Sequence, residues 1–159
     1  MLPISKNWHI TFLTLLIILL AGFRKKMNNT VSTLKERVGQ LLQGRGLKQK
    51  EIDSLSDLVA RQAYHETGGF KSSIFLDNKN YFGMKASSRD YDKGVLHGHA
   101  LYNSYDDSIR DLLQYMAERK GGLKSFALPS IEAYAQRLKS LNYFEDSIGN
   151  YIKGMKNAK

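Results

Sequence analysis

The chain has 159 residues, with 24 Lys and Arg against 15 Asp and Glu, for a net charge of +9. Hydrophobic content of 42% and aromatic content of 11% support one domain with a single core and exclude an intrinsically disordered chain. No cysteine is present, which excludes disulfides, thiolate zinc sites and cysteine nucleophiles. The basic balance suits a polyanionic partner: nucleic acid, an anionic membrane or the acidic polymers of a bacterial envelope.

Ile10 to Phe23 form an uncharged apolar run between Lys6 and the cluster Arg24-Lys25-Lys26. The run is shorter than the roughly 20 residues that comfortably span a bilayer. With its basic start and the small residues Ala21 and Gly22, it suits a secretory signal peptide. Leu19 fits the outer position of a cleavage site poorly, which keeps an uncleaved signal anchor open, and the basic flank that follows runs against export. Residues 1–26 are therefore read as signal peptide or membrane signal anchor, and 27–46 as an N-terminal helix and linker.

Val31, Leu34, Val38, Leu41 and Leu42 keep helical spacing after Asn28-Asn29-Thr30, a predicted cap, and Gly44 and Gly46 end that helix. A second helix carries Ile52, Leu55, Leu58, Val59, Gln62 and Ala63 towards Glu66, with Ser54 or Ser56 as candidate cap. Between Tyr81 and Tyr105 the pattern alternates around Asp92-Lys93-Gly94, the expected turn of a β-hairpin. Further helices are predicted from Asp106-Asp107-Ser108, from Pro129-Ser130 with Ile131, Tyr134, Ala135, Leu138 and Leu141 on one side, and from about Phe144 with Ile148, Ile152 and Met155 together. The expected fold is α+β and mainly helical, with a small hairpin lobe beside a cleft.

Glu66 is the catalytic candidate. It stands on the last turn of its helix, before Thr67-Gly68-Gly69, at the negative end of the macrodipole, where ionisation is disfavoured. Partial burial in a cleft pushes in the same direction. A carboxylic acid that keeps its proton near neutral pH is what a glycosidase needs to protonate a leaving sugar oxygen. The adjacent His65 points elsewhere on the helix and reads as a packed or surface residue. His97 and His99 share strand spacing, but no third ligand accompanies them and no metal or other cofactor is expected.

Ala60 to Gly69, Asn80 to Lys85, Tyr105-Asp106-Asp107-Ser108-Ile109 and Leu141-Asn142-Tyr143-Phe144 together resemble, in order and spacing, the glucosaminidase domain of glycoside hydrolase family 73. The resemblance implies a lysozyme-like catalytic domain over 47–159 and hydrolysis of peptidoglycan glycan strands after N-acetylglucosamine. It implies that Glu66 is the general acid and that Tyr143 faces it. Asn80, Phe82 and Gly83 would border the cleft and bind substrate. Tyr81, Tyr91, Tyr102 and Tyr105 have rings suited to stacking on sugars or to packing across the hairpin, and Tyr105 is kept as a substrate-binding candidate.

The family often carries a second carboxylate on the hairpin, for which Asp90 and Asp92 are the candidates here, Asp92 having turn-shaping with Gly94 as its alternative role. Two routes stay open: a water activated by one of these, or attack by the substrate's own acetamido group. The rival activities are a muramidase or lytic transglycosylase on the same fold, or a non-catalytic membrane-anchored glycan-binding module. The Lys and Arg residues are spread rather than striped, so no specific nucleic acid partner is expected. The domain is expected in the cell envelope, with membrane association through residues 10–23.

Overall fold

The computed structural model describes residues 30–158. The apolar run at 10–23, and with it the signal-peptide reading, lies outside the described residues; among those described, no helix is long and apolar enough to cross a membrane. Helix α1 (Val31–Leu42) opens on Thr30, whose Oγ1 accepts from the Thr33 amide at 3.1 Å, and it buries Val31, Leu34, Val38 and Leu42. A connection through Gly44 and Gly46, both at positive φ, leads to α2 (Gln49–Glu66), which packs along α1. This second helix starts ahead of the expected serine caps. The Glu51 carboxylate accepts from the Lys48 amide at 2.8 Å, while Ser56 bonds back to the Ile52 carbonyl at 2.7 Å in the helix interior.

Helix α3 (Ser73–Asn78) leads to a two-stranded sheet of β1 (Val95–Leu96) and β2 (His99–Ala100), in which Val95 faces Ala100 and Leu96 faces His99. The hairpin turn is therefore His97-Gly98, not the expected Asp92-Lys93-Gly94. His97 (φ 52°) and Gly98 (φ 71°) are both left-handed, as the commonest two-residue hairpin turn requires. Asp92 shapes the entry to the ladder instead: its carboxylate accepts from the Ser87 amide at 2.6 Å and the Gly94 amide at 2.8 Å. Lys93 and Gly94 then pair with Leu101. Because His97 occupies the turn, it does not share a strand face with His99.

Helix α4 (Tyr105–Ala117) is capped by Ser104 and Asp107, and Arg37 of α1 forms an ion pair with Asp106 in its first turn. A 3-10 turn (Leu123–Phe126) precedes α5 (Ile131–Ser140), which Ser130 caps. The last helix, α6 (Ile148–Lys156), starts at Ser147, later than the expected Phe144, and packs on α5 and α2. One core joins these pieces, with Leu55, Val59, Phe75, Ile109, Leu112, Met116, Tyr134, Leu138 and Met155 at its buried centre.

Candidate active site

The end of α2 is built to stop on Glu66. The Thr67 hydroxyl donates to the Ala63 carbonyl at 2.7 Å and accepts from the Phe70 amide at 2.8 Å. Gly68, Gly69 and Phe70 then run through three successive positive φ values, which turn the chain sharply away and leave the glutamate at the rim of the helix. Glu66 lines a cleft of about 560 Å³. Burial pushes its carboxyl up to about 7, opposed in part by a hydrogen bond from the Tyr151 hydroxyl to Oε1 at 2.6 Å. The group is thus half-protonated near neutral pH, the condition for acid catalysis there.

The facing wall is the segment from Asn80 to Ser87. Asn80 is buried, and its amide is spent within the protein. Nδ2 donates to the Met84 and Ala100 carbonyls at 3.0 and 3.1 Å, and Oδ1 accepts from the Phe82 and Met84 amides at 3.1 and 3.2 Å. Its part in the site is to bend this wall. Phe82 is 2% exposed, and its carbonyl accepts the Tyr143 hydroxyl at 3.0 Å. Gly83, at φ 60°, would have nothing within 4 Å of a Cβ, so it opens the wall to the cleft.

Tyr143 lines the same cleft as Glu66. Its hydroxyl is pushed well above the ordinary tyrosine range by burial and then by the Glu66 charge. The structure thus brings Glu66, Asn80, Phe82, Gly83 and Tyr143 together. It does not bring Tyr105, Asp90 or Asp92 into the cleft lining. Tyr105 packs its ring on Phe75 and Tyr81, at 4.8 and 5.3 Å between centroids. Asp90 is exposed, and Asp92 is occupied by its turn. Among the described residues lining the cleft, Glu66 is the one acid; Lys85, Arg89 and His99 supply the basic groups.

Two features escape the sequence reading. Arg89 reaches Asp111 of α4 with two bonds, at 2.6 and 3.0 Å, and the fully buried Asp111 also accepts from the Tyr102 hydroxyl at 2.7 Å. This pins the hairpin lobe to the helical lobe beside the cleft. Tyr151 is the other. It lies on the buried face of α6, stacked on Phe144 (3.8 Å, 4°) and edge-on to His65 (4.7 Å, 87°). Its signal in the sequence is faint: a tyrosine on an apolar helical stripe requires a partner for its hydroxyl.

A family model described as glucosaminidase, mannosyl-glycoprotein endo-beta-N-acetylglucosaminidase, matches residues 47–157. The chain belongs to the glucosaminidase family. The match covers α2 through α6, so the glutamate, the wall that faces it and both tyrosines all fall inside the glucosaminidase domain. The mainly helical domain with its two-stranded sheet accords with a lysozyme-like glucosaminidase, and membership assigns hydrolysis of peptidoglycan glycan in general terms. No curated protein and no solved structure matches the chain.

Proposed function

We propose that this glucosaminidase is an endo-β-N-acetylglucosaminidase that cleaves the β-1,4 bond after N-acetylglucosamine in peptidoglycan, with Glu66 as general acid. The observation that carries the reading is the place of Glu66: half-buried, bonded to Tyr151 and the one acid among the described residues that line the cleft of a glucosaminidase domain, where desolvation pushes its carboxyl up to about 7. In the acid form Glu66 protonates the glycosidic oxygen as its bond to the anomeric carbon breaks. Tyr143 orients the reacting sugar from the same cleft. No second carboxylate lines that cleft among the described residues, which favours the substrate's acetamido oxygen as the group that attacks the anomeric carbon. Bound beside that carbon, it has the high effective concentration of an intramolecular nucleophile.

The substrate lies in the cell envelope, so the domain acts there, delivered by the apolar segment at 10–23. A reporter active only outside the cytoplasm, fused after Lys159, tests the delivery: signal is expected, and a silent reporter places the domain inside. For the reaction, residues from Met27 onward are incubated with purified peptidoglycan and the fragments identified by mass spectrometry. New reducing ends on N-acetylglucosamine are expected. New reducing N-acetylmuramic acid indicates a muramidase, anhydro-muramic ends a lytic transglycosylase, and retention without fragments a binding module.

A further inference from the structure

The cations that line the cleft are not equally engaged. Arg89 is neutralised by its two bonds to Asp111. Lys85 stands exposed where the wall meets the hairpin, and no carboxylate among the described residues pairs with it. Its ammonium carries three protons. One goes to the Gly98 carbonyl at 3.3 Å and one to His99 Nε2 at 3.2 Å; the third has no acceptor among the described residues. His99 is set to receive its share. Its Nδ1 lies 2.9 Å from the His97 carbonyl, which can only accept, so Nδ1 holds the ring proton and Nε2 presents a lone pair to Lys85. The hairpin turn thus braces an unneutralised positive charge in the cleft lining. Glu66, the one acid of that lining, is governed by burial and the Tyr151 bond rather than by a cation. Lys85 therefore belongs to the cleft without belonging to the acid.

We propose that Lys85, braced by Gly98 and His99, is the centre of a carboxylate subsite that takes the acidic substituent on O-3 of N-acetylmuramic acid. The proposal rests on the reading of this cleft as the place where peptidoglycan is cleaved. In the bond assigned there, the leaving oxygen is O-4 of N-acetylmuramic acid, and the adjoining O-3 carries the lactyl group. That group ends in a carboxylate when bare and leads to the carboxylates of the stem peptide when the peptide is attached. A lysine suits both, because its ammonium is a point charge with rotatable donors rather than a fixed fork. Standing apart from Glu66, the contact acts alike on bound substrate and transition state, so it appears in KM rather than in kcat. It also discriminates peptidoglycan from neutral N-acetylglucosamine polymers, whose O-3 is a plain hydroxyl.

Soluble glycan strands are prepared with stem peptides attached and with stems removed, each with its carboxylates free or converted to methylamides. On free strands Lys85→Gln is expected to raise KM about five-fold with kcat within about two-fold, and on methylamide strands KM should not rise. Lys50→Gln removes an equal, exposed charge about 24 Å along α2 from Glu66, well beyond the screening length, and should leave KM unchanged. A rise on stripped strands assigns the lactyl carboxylate; a rise confined to stemmed strands assigns the peptide. An equal rise on free and methylamide strands, no rise on either, or an equal rise from Lys50→Gln overturns the subsite. Should Lys85→Gln fail to fold, wild type must still show the lower KM on free strands, and equal KM values overturn the subsite as well. If wild type releases no fragments from any strand, the functional reading fails and this inference with it; the reducing ends of the fragments test the assigned bond separately.

Discussion

Gly154 of α6 lies directly against the His65 ring of α2: a Cβ at position 154 would sit 2.0 Å from Nδ1 and 2.3 Å from Cε1. This close approach brings α6 onto the C-terminal end of α2 and sets Tyr151, three residues earlier, within reach of Glu66.

Gly154→Ala pits two effects against each other. In an open helix alanine is the better former by about 1 kcal/mol, but here the methyl must displace a packed ring, and overpacking costs about 1–3 kcal/mol. The variant is expected to be less stable in urea unfolding. Adding His65→Ala removes the obstacle, so the alanine at 154 should cost less in the double variant, and the cycle measures the coupling. A Gly154→Ala protein more stable than wild type would show that the two helices separate freely.

Glu66→Gln should lower glycan cleavage by about a hundred- to ten-thousand-fold, because the amide cannot donate the proton, while retention on peptidoglycan stays near wild type. It also changes the dependence of stability on pH. Folded, Glu66 keeps its proton up to about 7, whereas the ordinary value is 4.5. Its contribution is fully present below 4.5 and is lost as the pH rises through 7, since the unfolded chain gains by ionising first. The melting temperature of Glu66→Gln relative to wild type should therefore rise between pH 4.5 and 7 and level off above. A flat difference across that range would mean an ordinary, solvated carboxyl.

Asp111→Ala leaves the Arg89 guanidinium without its partner, at a position where the Arg89 side chain is only 15% exposed. Breaking one side of a buried pair costs about 3–5 kcal/mol, and this pair is also bonded to Tyr102. Urea unfolding should register that loss. Amide exchange should quicken across residues 85–92, the segment that Arg89 ties to α4. Unchanged exchange there would mean that the Asn80 contacts hold the wall alone.

Asp90→Asn and Asp92→Asn should each reduce cleavage less than Glu66→Gln at matched folded concentration. Asp90 is exposed and Asp92 serves the turn through the Ser87 and Gly94 amides; asparagine suits such a turn nearly as well. A loss at either position equal to that at Glu66 would replace the acetamido route by a two-carboxylate mechanism.

The helices and their buried faces are legible in the chain because both signals are local. Val31, Leu34, Val38 and Leu42 recur with the helical period, and Thr30, Ser104 and Ser130 each bond to an amide three residues ahead. The placing of Glu66 on the last turn of α2 was legible for the same reason, since Thr67 and two glycines follow it at once. Tertiary structure decided the rest. The hairpin turn falls at His97-Gly98 because strand register follows pairing partners, among them the distant Asn78, whose Nδ2 donates to the Leu96 carbonyl at 2.6 Å. Arg89 meets Asp111 across the boundary between lobes, and Tyr151 reaches Glu66 from 85 residues away in the chain. No periodicity encodes such meetings, because the free energy that fixes them comes from burying both partners at once, and only the assembled core brings them within hydrogen-bonding distance.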